Sequence, residues 1–176
     1  MKVTSNFQAA IENAMQLASR TGGVVFSEQM LYGLASDMRF TSAKLLAAYG
    51  ISAERFLQTF SIKPFNPEVR LSDRFLRIRQ VALELGARLG GIAGTAHLLY
   101  ALLLETDSVA FNYLVYAGVD IEKLKADIVS TLQNGNRPER AQVRMDDLAS
   151  EMAQLIQNVM RRPNFQPEDP EEKKAR

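Results

Sequence analysis

The chain's single histidine, His97, is the natural place to look for chemistry, because metal centres and Ser-His-Asp relays are commonly built on imidazole. It has no second imidazole to share a metal with. There is no cysteine either, which removes disulfides, thiolate nucleophiles and Cys-ligated zinc or iron–sulfur centres together. Two residues after Thr95, His97 reads instead as a first-turn residue of a buried helix, a place where a neutral ring bonds locally. The acidic candidates for an enzyme, Glu28, Glu105 and Asp107, offer no matched general acid and base. Gly22-Gly23 and Gly90-Gly91 invite a phosphate-loop reading, but each pair follows a helical pattern rather than a strand and lacks the further glycines. No Gly-x-x-x-x-Gly-Lys-Ser/Thr loop occurs anywhere in the sequence, so a nucleotide's phosphates have no cradle. The expectation is a protein with no catalytic residues, no cofactor and no metal.

The whole chain supports a binding role more readily than a chemical one. Its 176 residues are 47% hydrophobic, enough for one packed domain with an appendage. Net charge is +1, and the balance is even on both sides of Leu132, with 13 basic and 12 acidic residues before it and 8 of each after. That leaves no electrostatic footprint for nucleic acid or an anionic membrane. The start, Met1 to Asn6, lacks a signal peptide's apolar run, and the most apolar stretch, Gly90 to Leu104, is interrupted by Thr95 and His97. A cytoplasmic location fits.

The strongest signal is an internal repeat. Phe7 to Phe60 laid over Phe75 to Ile128 at a constant offset of 68 gives 12 identical pairs in 54 without a gap. Chance alone gives about three. The identities, among them Ala14/Ala82, Leu17/Leu85, Gly22/Gly90, Gly23/Gly91, Tyr32/Tyr100 and Gly50/Gly118, fall at positions that pack or punctuate. The chain is therefore a tandem duplication, with repeats at about 5–60 and 73–132.

Each copy has helical periodicity and predicts four helices, so the fold class is all-α, an eight-helix pseudo-two-fold duplication. The first helix is expected over Asn6 to Arg20, with Ser5 as N-cap and Gln8 as its capping-box partner, and Gly22-Gly23 ends it. Ser27 and Thr95 are expected as N-caps of a short buried second helix containing Tyr32 or Tyr100, whose rings pack in the core. The third helix covers roughly Thr41 to Tyr49 and Ser108 to Ala117. Ser52 and Asp120 then cap the fourth. Between the copies, Pro64 and Pro67 predict an extended connection over Ser61 to Glu68. Beyond Leu132, residues 133–142 read as a polar linker. Residues 143–162 follow as an amphipathic helix with Met145, Leu148, Met152, Leu155, Ile156 and Val159 in register, and 163–176 as a disordered tail.

This pattern resembles the amino-terminal Clp repeat domain that precedes the ATPase rings of the ClpA, ClpB and ClpC unfoldases. The residues that carry the resemblance are Phe26-Ser27-Glu28-Gln29-Met30-Leu31-Tyr32-Gly33-Leu34, Gly94-Thr95-Ala96-His97-Leu98-Leu99-Tyr100-Ala101-Leu102, Tyr49-Gly50-Ile51-Ser52 and Ala117-Gly118-Val119-Asp120. The resemblance covers about Met1 to Leu132. The resemblance implies a module that binds protein substrates and adaptor proteins for a hexameric ATP-driven ring, with the ring in cis if the chain is a truncation. The alternative is a stand-alone Clp-repeat scaffold or anti-adaptor whose terminal helix packs on its own core.

Within the ClpC branch the acidic residue after the cap, similar in position to Glu28, receives the guanidinium of phosphoarginine on tagged substrates. A carboxylate suits that group because it accepts two parallel hydrogen bonds. Ser27 and Glu28 are therefore the candidate ligand residues. The second repeat departs from the pattern with Thr95-Ala96-His97, so its site is expected to be inactive. Glu28 also has a plain reading, as a favourable charge on a helix's first turn contributing about 0.3 to 1 kcal/mol.

Overall fold

The computed structural model describes residues 1–135 and 152–157. The first repeat runs β1 (Lys2–Val3), α1 (Ser5–Ala18), β2 (Val24–Val25), α2 (Ser27–Ala35), α3 (Thr41–Ala47) and α4 (Ala53–Leu57). The second repeats this order as β3 (Arg70–Leu71), α5 (Asp73–Arg88), β4 (Ile92–Ala93), α6 (Thr95–Leu103), α7 (Val109–Tyr116) and α8 (Ile121–Gly135). The eight helices are those the periodicity predicts. The strands are additional, and at two residues each they are too short to show an alternating pattern in the sequence.

Helix starts follow side-chain oxygen. The Thr4 hydroxyl accepts from the Phe7 N–H and begins α1, one residue earlier than the expected Ser5 cap. Ser72, at the equivalent position, accepts from the Phe75 N–H and begins α5. Ser52 and Ser108 cap α4 and α7 in the same way, and Asp120 Oδ1 accepts from the Lys123 N–H at the start of α8. Gly23 and Gly91 close the first helix of each copy at φ near +80°, a conformation that a side chain disfavours. At the far end α8 continues to Gly135, so residues 133–135 of the expected linker are helical. Residues 136–142, most of 143–162 and all of 163–176 lie outside the described residues.

The two copies are interleaved. β1 pairs in parallel with β4, Lys2 opposite Ile92, and β2 pairs in parallel with β3, Val24 opposite Arg70, so the leading strand of each copy completes the other. The capping residues extend both ladders, because the Thr4 N–H donates to the Ala93 carbonyl and the Ser72 N–H to the Val25 carbonyl. The central helices α2 and α6 are buried on almost every side, with Met30, Leu31, Leu34, Leu98, Leu99 and Leu102 fully enclosed. One close approach depends on glycine. A Cβ at Gly33 on α2 would lie 2.3 Å from the Ala10 carbonyl oxygen of α1, so these two helices pack backbone to backbone.

Candidate functional site

Ser27, Glu28, Thr95 and Ala96 all sit in the first turns of the paired central helices, where the duplication makes comparison direct. Ser27 and Thr95 are not the N-caps. The capping positions belong to Phe26 and Gly94, whose backbone N–H groups are held from inside the helix by the Gln29 Oε1 atom and the His97 Nδ1 atom, each at 2.9 Å. Gln29 also donates through Nε2 to the Thr21 hydroxyl, which ties the end of the α1 segment to the start of α2.

The two hydroxyls reach across the pseudo-two-fold axis. Ser27 Oγ accepts from the Ala110 N–H of α7, and Thr95 Oγ1 accepts from the Ser42 N–H of α3, both at 3.2 Å. Ser42 and Ala110 are themselves 68 residues apart, as Ser27 and Thr95 are, so the two bonds are symmetry partners. Each repeat thus satisfies a first-turn N–H that the other repeat's third helix would otherwise bury unpaired. Ser27 is fully buried in this role. Its hydroxyl also lies 3.3 Å from Glu28 Oε2.

Glu28 is half-buried beside this contact, whereas Ala96 is buried. The first turn of α2 therefore carries one acidic side chain and the first turn of α6 none. His97 is 6% exposed, and burial pushes its pKa down to about 4. A ring that accepts through Nδ1 must keep that lone pair, so His97 is neutral and carries its proton on Nε2.

The remaining acidic candidates are committed elsewhere. Arg74, on α5, is almost wholly buried and reaches Glu105 through Nε at 3.1 Å and Asp107 through Nη2 at 3.0 Å. Arg77 adds a second contact to Glu105 at 3.4 Å. The four-residue arrangement ties α5 to the α6–α7 turn and leaves these carboxylates serving as counter-ions. Tyr32 and Tyr100 are half-buried, Tyr32 against the main core and Tyr100 against both clusters of buried residues. Among the described residues no group of three or more His, Asp or Glu side chains is placed to hold a metal ion, and no helix is long and apolar enough to cross a membrane.

An interleaved pair of four-helix repeats with swapped two-residue strands is the fold of the Clp amino-terminal domain, and solved structures show the match. The Hsp104 N-terminal domain from Candida albicans aligns with a TM-score of 0.60 at 17% identity over 74% of this chain and 91% of that one. A structure described as belonging to a malarial protein secretion system aligns with a TM-score of 0.60 at 14% identity, covering 76% and 97%. The ClpV N-domain, solved in complex with a VipB peptide, aligns with a TM-score of 0.57 at 20% identity, covering 76% and 88%. No family model and no curated protein matches the sequence.

Proposed function

We propose that this chain is the substrate- and adaptor-recognition domain of an ATP-dependent Clp unfoldase, has no ATPase or other enzymatic activity of its own, and works in the cytoplasm. The observation that carries the reading is the shared fold with three solved domains, one of which holds a peptide. The sequence supports it by offering no phosphate loop, and the structure by engaging Glu105 and Asp107 with the buried Arg74. The recognition unit is residues 1–132, and its partners are proteins rather than nucleic acid or membrane. The test is whether the coding sequence continues into a phosphate loop, followed by comparison of the intact ring with a ring lacking this domain. Loss of adaptor-delivered substrate turnover with ATP hydrolysis retained is the expected outcome. Unchanged turnover of every substrate refutes the assignment.

The finer reading places a phosphoarginine-like ligand at Glu28 in the first repeat only. It is supported by the half-exposed carboxylate on the first turn of α2 and by the buried methyl of Ala96 at the equivalent place. Ser27 contributes by positioning Glu28, since its hydroxyl is engaged with Ala110.

A second reading has one observation in its favour. Residues 152–157 pack on α5 and α8 of the second repeat through Met152 and Leu155, as a stand-alone scaffold or anti-adaptor would require of its terminal helix. A coding sequence that ends without a phosphate loop would favour this reading.

A further inference from the structure

We propose that residues 152–157 form a displaceable latch over a helix-docking groove built on the second repeat. The groove lies apart from the main core. Leu85 of α5 and Val129 of α8 form a separate buried cluster with Met152 and Leu155, flanked by Val81, Leu89 and Tyr100. The latch touches it along a narrow stripe: Met152 and Leu155 are each 2% exposed, while Ala153, Gln154 and Gln157 face solvent. Three-residue spacing of two anchors is how a single amphipathic helix lies in an apolar groove.

Comparison of the repeats shows that the groove is particular to the second one. Leu85 and Tyr100 have counterparts in Leu17 and Tyr32, so the floor is common to both copies. At the other three positions the first repeat has Asn13 for Val81, Thr21 for Leu89 and Ser61 for Val129. There the chain itself covers the end of α1, since the Lys63 N–H donates to the Arg20 carbonyl at 2.7 Å and the Asn66 N–H to the Ser19 carbonyl at 2.8 Å. The Phe65 ring lies 5.2 Å from the Arg20 guanidinium over the same place. The first repeat is thus closed by the inter-repeat connection. The second repeat carries three apolar side chains at the same positions, with an amphipathic segment of this chain seated on them.

With only two fully buried anchors, the latch is held mainly by being tethered, because a tether supplies an effective concentration of roughly millimolar. A helix with apolar side chains three apart, supplied in trans, competes for the same seat. The proposal stands independently of what the rest of the domain recognises.

The test uses a labelled peptide of residues 145–160 and fluorescence anisotropy on three forms of the full chain. The intact chain is expected to bind it weakly. The Met152→Glu/Leu155→Glu double variant, with its latch released, is expected to bind one peptide about tenfold or more tightly than the intact chain, by loss of tethered competition. Adding Leu89→Glu, a half-buried groove position, should abolish that binding. Equal affinity for intact and released chains, binding that survives Leu89→Glu, or no binding to the released chain at millimolar peptide would each overturn the proposal. Amide exchange on the released chain separates latch from core. Protection in α2 and α6 should be unchanged, and its loss would make residues 152–157 part of the folding unit instead.

Discussion

His97 gives the domain a defined sensitivity to acid. In the folded chain its pKa is lowered by burial from an ordinary value of 6.5 to about 4, so the unfolded chain takes up a proton more readily than the folded one between those values. Stability from this group is therefore fully present above pH 6.5, falls as the pH drops, and is exhausted below pH 4. At 1.36 kcal/mol per unit the full contribution is about 3 kcal/mol, and about 2 kcal/mol of it should be lost between pH 7 and pH 4.5. The duplication supplies the control. Gln29 stands at the equivalent position and accepts from the Phe26 N–H as His97 accepts from Gly94, without titrating in this range. His97→Gln should stay within about 1 kcal/mol of the parent at pH 7, the cost of a conservative core change. Its stability should fall less steeply on acidification. Urea denaturation of both chains from pH 7 to pH 4.5 reads the difference, which cancels the carboxylates they share. Because the chain has one histidine, its ring proton resonance can be followed without ambiguity. Parallel stability curves, or a resonance titrating near 6.5, would refute the reasoning.

The close approach of α1 and α2 predicts that Gly33→Ala destabilises the domain by about 1 to 3 kcal/mol, measured by chemical denaturation, because the new methyl meets the Ala10 carbonyl rather than a movable side chain. Ser27→Ala and Thr95→Val should each cost about 1 to 3 kcal/mol by the same measurement, since either leaves a buried N–H of the opposite repeat without its acceptor. Near-neutral effects at both positions would show that the cross-repeat bonds are incidental. For the ligand reading, Glu28→Ala should weaken phosphoarginine binding by about 1.5 to 3 kcal/mol in titration calorimetry, and Ala96→Glu should have an effect only if the second site retains its phosphate-binding groups. No binding by the parent at millimolar ligand leaves Glu28 as a first-turn charge.

The helices and their duplication were legible because helical periodicity and glycine punctuation are local properties of the chain. Gly50 and Gly118, both at positive φ, mark the end of the third helix in each copy as a sequence reader would place it. The caps of α2 and α6 were displaced by one residue for a physical reason. A hydroxyl preceding an apolar run serves equally as N-cap or first helical residue, and the difference lies in where its hydrogen bond goes. For Ser27 and Thr95 it goes to a residue of the opposite repeat. The retained hydroxyl in both copies was the available signal. The swapped strands were illegible because two residues carry no period, and Lys2–Val3 meets Ile92–Ala93 only through the tertiary fold. Glu105 and Asp107 read as unassigned carboxylates because their partners, Arg74 and Arg77, lie about thirty residues away on another helix.

The central claim, that the chain recognises proteins and performs no chemistry on them, is tested most directly by titrating the intact chain with peptides selected from an array of unfolded-protein sequences, with an ATP hydrolysis assay run on the same sample. The account predicts saturable binding with one peptide per domain, protection from amide exchange confined to a patch of residues 1–132, and no hydrolysis above the buffer rate. Turnover of ATP, or the absence of saturable binding by any peptide at millimolar concentration, would contradict it.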